Sequence, residues 1–184
     1  MVAIIISILT SFLSSLSSST LTSDCVLSIS SEQSHPFSYP GSVVLEGDKF
    51  LISMLNMEMA YDGRTLYIYS EDTEELTLTT PTEEELMQTN PLRFAKALVE
   101  VSRVEEKTLT TGNKVVTLYP NDLSAGVVRV TLTLDKEGKL PISIEIKEAD
   151  KTSRLTFIEP TLSSAPSANR YQLDKPNAFL NDLR

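Results

Sequence analysis

Polar and apolar residues alternate along most of this chain. Ser42 to Glu46 and Phe50 to Met54 alternate on either side of Gly47-Asp48, and each reads as one strand of a hairpin. Val43 and Leu45 share one face; Phe50, Ile52 and Met54 share another. A second hairpin turns through Asp62-Gly63, where Gly63 is expected at positive φ. After it, Leu66 and Ile68 oppose Tyr67 and Tyr69. Thr20 to Ser30 is an earlier strand, with Leu21, Cys25, Leu27 and Ile29 on one parity. Ser31 to Gly41 holds Pro36, Pro40 and Gly41 and reads as a loop. Later strands are expected at Glu75–Thr79, Val101–Leu109, Lys114–Tyr119, Val127–Leu134, Ile142–Glu148 and Arg154–Glu159. Tyr171–Leu173 and Ala178–Leu183 finish the pattern.

Two stretches change period. In the first, Ile5, Ile8, Leu9, Phe12, Leu13 and Leu16 recur at helical spacing among serines, and Ser17-Ser18-Ser19 ends the run. In the second, Thr82-Glu83-Glu84-Glu85 is a capping box, and its acids suit the positive end of a helix. A further helix opens at Asn90-Pro91 and carries Leu92, Phe94, Ala95, Leu98 and Val99. The pattern therefore predicts a mainly β chain. It has a helix over 1–18, a helical insertion over 82–100, and an antiparallel sheet of roughly ten strands, long enough to curl. Helices confined to its concave side would cover it. The absence of any repeat or long linker across 184 residues makes this one domain, 1–184.

Composition narrows what such a sheet can do. The formal charge of −9 argues against nucleic acid and against a polybasic membrane anchor. The single cysteine, Cys25, precludes an intrachain disulfide, and the residues before it lack the small side chain of a lipoprotein cleavage site. No basic residue precedes Lys49, so the apolar N-terminus lacks the positive region of a secretory signal. We read it as a mature amphipathic helix whose leader has been removed; a degenerate, uncleaved signal is the other reading.

Enzyme chemistry lacks its parts. His35, the only histidine, sits beside Pro36 with no Gly-x-Ser-x-Gly elbow to pair with it. A zinc site would lack ligands, and no Gly-rich phosphate loop is present. The acidic run Glu71-Asp72-Thr73-Glu74-Glu75 lacks the spacing and glycine of a calcium loop and reads as a solvated turn. No catalytic residue, metal or cofactor is expected. What remains is apolar surface, which by itself reads as packed core. Met54, Met57, Met59 and Met87 tilt it slightly toward a site that adapts to varied apolar ligands.

In this order, the Gly41-to-Phe50 strand and turn, the Asp62-Gly63-Arg64-Thr65-Leu66-Tyr67-Ile68-Tyr69 hairpin, the Pro91 helix, the Asp135-to-Leu140 turn and the terminal Asp182-Leu183-Arg184 resemble the periplasmic lipoprotein carriers of the LolA family and their distant relatives. The resemblance implies an unclosed β-barrel whose mouth is covered by an N-terminal helix and a central helical lid. It implies an acyl-chain cavity with Val43, Leu45, Phe50, Ile52, Met54, Leu66 and Ile68 on the sheet. Leu92, Phe94 and Leu98 would lie on the lid, and Ile5, Leu9 and Phe12 on the N-terminal helix. Tyr67 stands where the family has Trp. The implied protein is a monomeric periplasmic carrier. It would receive acyl chains of lipoproteins, or other lipids, from an inner-membrane releasing transporter and pass them to an outer-membrane acceptor. A lipid-responsive sensor domain of the same shape, binding a regulatory protein, is the alternative; an esterase is a third. One departure is plain. Better-known members end the strand at Ser42–Glu46 with Arg-Pro, and that arginine helps latch the lid. Here Glu46-Gly47-Asp48 stands instead, so the latch is absent or built otherwise.

Overall fold

Alternation has produced more strand than the sequence pattern predicts. The computed structural model describes residues 2–31, 34–123, 126–164 and 170–184, with side chains described for all of these but 2–7, 34, 88, 91, 92, 95 and 96. Helix α1 (Val2–Ser18) leads into β1 (Thr20–Ser31), β2 (Ser34–Glu46), β3 (Lys49–Met54), β4 (Met57–Tyr61), β5 (Leu66–Ser70) and β6 (Glu75–Thr79). Helices α2 (Glu83–Thr89) and α3 (Pro91–Glu100) follow. The chain then returns to strand with β7 (Ser102–Thr108), β8 (Lys114–Pro120), β9 (Val127–Leu134), β10 (Pro141–Glu148), β11 (Lys151–Ser163) and β12 (Phe179–Asp182).

All twelve strands join one unclosed sheet in the order β12-β6-β5-β4-β3-β2-β1-β11-β10-β9-β8-β7. The long β1–β11 ladder, from Thr20↔Ser163 to Ser31↔Lys151, unites the two hairpin series. Every ladder is antiparallel except β6–β12, in which Phe179 to Asp182 run parallel to Glu75 to Leu78. The fold is the expected half-barrel with helices on one face, built among the described residues from twelve strands rather than about ten.

Two expectations need correction. Residues 34–41 are strand, not loop. Beyond Gly41↔Met54, β2 has no partner in β3, so its Ser34–Pro40 half pairs only with β1. Pro36 and Pro40 share a parity there, and a proline is tolerated when its missing N–H would face an open side. Residues 171–173 are turn rather than strand. Tyr171 is instead a plug, fully enclosed, its hydroxyl donating to Glu46 Oε2 at 2.9 Å.

Parity sorts the sheet into two faces. On the helix side, Val43, Leu45, Phe50, Tyr61 and Leu66 pack with Leu9, Phe12 and Leu16 of α1, and continue into Val116, Leu118, Val130, Leu132 and Leu134. On the other side, Ala60, Tyr67, Leu76 and Leu78 form a separate cluster covered by Leu173 and Ala178 of the C-terminal segment. Lys175 secures that segment through Glu58 at 2.6 Å and lies over the Tyr69 ring. The end of α1 is fixed where the Gly47 amide donates to the Leu16 carbonyl at 2.9 Å.

The turns follow their chemistry. Asp62 accepts from the amides of Arg64 at 2.9 Å and Thr65 at 2.8 Å, and Gly63 takes φ +101°, as expected. Burial pushes the Asp62 carboxyl up, but those amides, with Gln172 and Tyr67, hold it below the usual carboxylate range. The β3–β4 turn breaks the usual preference: Leu55 (φ 57°) and Asn56 (φ 58°) both lie in the left-handed region.

Candidate functional site

Between the helices and the second half of the sheet lies a cavity of about 720 Å³. That is within the range of about 300–1,000 Å³ common to small-molecule sites. Its floor is the inward parity of three adjacent strands: Val116 and Leu118 of β8, Val130 and Leu132 of β9, and Ile144 and Ile146 of β10. The register stacks them, because Leu118↔Val130, Val116↔Leu132, Ile144↔Leu132 and Ile146↔Val130 are direct pairs. Leu9, Phe12 and Leu13 of α1 form one wall. Phe94, Ala97, Leu98 and Val101, on and after α3, form the roof with Met87 of α2. Met87 and Val101 are exposed and stand at the rim. Glu84 and Thr89 are the only polar residues among the described lining.

The lid helices are set by local chemistry. Thr82 caps α2, accepting from the Glu85 amide at 3.2 Å, while Glu85 Oε2 takes the Thr82 amide at 2.7 Å. These bonds hold the Glu85 carboxyl below its usual range. Asn90 caps α3 by accepting from the Arg93 amide at 3.2 Å, and its side-chain amide reaches the Asp48 carbonyl at 2.8 Å. Arg93, on the lid, binds Asp48 Oδ2 at 3.2 Å and Glu83 Oε2 at 2.5 Å. In this link the cation is on the lid and the anion is in the β2–β3 turn. Beneath it Tyr61 is buried, and burial pushes its phenol up.

The expected site residues divide into two groups. Leu9, Phe12, Phe94 and Leu98 line the cavity. Val43, Leu45, Phe50 and Leu66 are buried in the core outside its lining, with Ile52, Met54 and Ile68 packed against them. The side chains of Ile5 and Leu92 lie outside the described residues. Sequence reasoning did not single out the floor, Val116 to Ile146. Its parity was legible, but which half of the inner face stays unfilled depends on where α1 crosses the sheet.

The opposite face of β8–β10 is polar. Thr117, Thr131 and Thr133 surround Glu145, which accepts from Arg129 at 3.0 Å and Arg154 at 3.1 Å. Arg154, then Arg129, hold its carboxyl below the usual range, against the effect of burial. Among the described residues no cluster of three or more His, Cys, Asp or Glu could hold a metal ion, and no helix is long and apolar enough to cross a membrane. Cys25 is buried, and burial pushes its thiol up.

An open, almost wholly antiparallel sheet with helices on one face is the LolA-like fold. The family model described as "Outer membrane lipoprotein carrier protein LolA" matches residues 14–150, and the chain belongs to that family. No curated protein matches it in sequence. An uncharacterised conserved protein from Thermus thermophilus superposes with a TM-score of 0.63 at 12% identity, covering 95% of this chain and 96% of that one. The Pseudomonas aeruginosa MucA/MucB complex contains a chain matching with a TM-score of 0.54 at 14% identity, over 92% of this chain and 61% of that one. A LolA-superfamily protein from Nitrosomonas europaea gives a TM-score of 0.45 at 10% identity, over 90% and 97%.

Proposed function

We propose that this chain is a periplasmic carrier that shields lipoprotein acyl chains, or chains of similar lipids, in the cavity over β8–β10 and moves them toward the outer membrane. The observation that supports this most is the cavity itself, roofed by short helices tied down through few polar links. Each methylene buried there is worth about 0.8 kcal/mol, so an acyl chain needs no charged contact to be held. In this reading residues 1–184 act as one monomeric carrier domain, loaded by an inner-membrane releasing transporter and emptied by an outer-membrane acceptor. No step breaks a bond. Native mass spectrometry of freshly purified protein tests the reading. A bound lipid mass, or uptake of added lipid by the apo form, is expected. An apo mass that refuses lipid contradicts it.

One observation favours a second reading. The MucA/MucB match is to a complex of two proteins, so a half-barrel of this kind can stand beside a protein partner. A sensor domain would bind lipid in the same cavity but keep it, changing its affinity for that partner. Transfer of bound lipid to acceptor vesicles separates carrier from sensor.

A further inference from the structure

The rim of the cavity carries one carboxylate and, among the described lining residues, no cation. That carboxylate is Glu84. It lies in the first turn of α2 with Glu83 and Glu85, but the three are not equivalent. Glu85 is engaged in the capping box, and Glu83 is paired with Arg93. Glu84 has neither tie, is exposed, and stands one turn before Met87 on the cavity side of the helix. Arg93 does not line the cavity and is held between Asp48 and Glu83.

We propose that Glu84 selects what the cavity accepts: amphiphiles whose head is uncharged or cationic, and not those with an anionic head. This rests on the lipid-carrier reading of the same cavity. A chain lying on Val116, Leu132 and Ile144 has its head at the rim. Among the described residues, Glu84 and the Thr89 hydroxyl are the polar groups it meets there. The apolar lining gives tail affinity without regard to the head. Charge at the rim then decides between heads, since two unit charges about 4 Å apart in water-like surroundings interact by roughly a fivefold change in affinity for each sign. An anionic head is repelled, a cationic head attracted, and an uncharged head unaffected.

The test uses three ten-carbon probes below their micelle concentrations: decyltrimethylammonium, 1-monodecanoylglycerol and decanoate. Each is titrated into the full chain by calorimetry at about 0.05 M salt, where screening at this distance is weak. Affinity should fall in that order, with about tenfold or more between the cationic and anionic probes. Glu84→Gln should bring the three within about twofold, and Glu84→Lys should reverse the order. Glu71→Gln, in the β5–β6 turn and outside the cavity lining, removes one charge from the same protein and should leave the order intact. Equal affinity for all three probes in the unaltered chain overturns the proposal and leaves the lipid-carrier reading standing. So does a loss of preference in Glu71→Gln as large as in Glu84→Gln, since the protein's net charge would then be responsible. Failure to bind any probe overturns both. Glu84 is exposed and outside the capping bonds, so the variants should melt with the unaltered chain.

Discussion

The two halves of the sheet are built alike and finished differently. Strands β2–β6 are closed on both faces: their inner side chains pack with α1, and their outer cluster lies under Leu173 and Ala178. The inner side chains of β8–β10, among them Val116 and Leu118, are buried too, but they border unfilled space. A cavity remains beneath the helices, and the reverse face is a half-buried polar patch of threonines around Glu145. One half is therefore a platform held by a C-terminal strap, and the other is the part with room for a ligand. Inward-facing apolar residues are common to both, so parity alone does not mark a binding site; what covers the parity does.

The largest expected difference between the halves is in stability. Phe50 is fully buried in the platform, and Phe50→Ala should cost about 3–5 kcal/mol with a correspondingly lower Tm. Ile144 already borders empty space, so Ile144→Ala should cost about 2 kcal/mol, the low end for such a truncation, while weakening lipid uptake. Equal costs measured by denaturant unfolding would show that the halves are packed alike.

Next in size is the Asp62 turn, which belongs to the platform. Gly63→Val should destabilise by more than about 1 kcal/mol, since φ +101° is closed to a β-branched residue. The nearest atom to a new Cβ is Lys49 Cε at 3.9 Å, so the cost is conformational rather than a clash. Asp62→Asn should flatten the acid limb of stability. Because the folded carboxyl is depressed, its contribution is complete above about pH 4 and is lost as pH falls through the folded value. An unchanged acid limb would remove Asp62 from that role.

The lid should respond more in motion than in stability. Arg93→Ala breaks a partly exposed link and should cost about 1 kcal/mol or less. Hydrogen exchange over 91–99 should nevertheless quicken, and should slow again when lipid binds. Phe94→Asp should weaken uptake more than it lowers Tm. If Phe94→Asp unfolds the protein and exchange in α3 ignores lipid, the helix is plain core. The smallest effect is a gain: Leu55→Asn relieves a left-handed leucine at an exposed turn and should stabilise by about 0.5–1 kcal/mol.

These contrasts also explain what could be read from the sequence. The hairpins, the capping box at Thr82, the Asn90-Pro91 helix start and the Gly63 turn are local, and each carries its own signal within a few residues. The strand through Pro36 and Pro40 was hidden because prolines usually break a ladder, and only the tertiary pairing shows that β2 has a single neighbour there. The same holds for the site. Leu9, Phe12, Phe94 and Leu98 were legible as apolar helix faces. The inward parity of β2–β5 was legible as well, but where α1 crosses the sheet and what covers Tyr67 from behind are long-range matters with no local signal. The Asp48–Arg93 link joins residues 45 apart in sequence and carries no local signal.

The central claim is that a lipid tail lies on β8–β10 and not on β2–β5. The chain contains no tryptophan, so a single introduced indole is an unambiguous reporter. Ile144→Trp places it in the cavity floor, and Ile68→Trp places it on the same inner face of the platform. Titration with a monoacylglycerol brominated in its chain should quench the first strongly and saturably and leave the second nearly unchanged. Quenching at Ile68→Trp equal to or greater than that at Ile144→Trp would contradict the account.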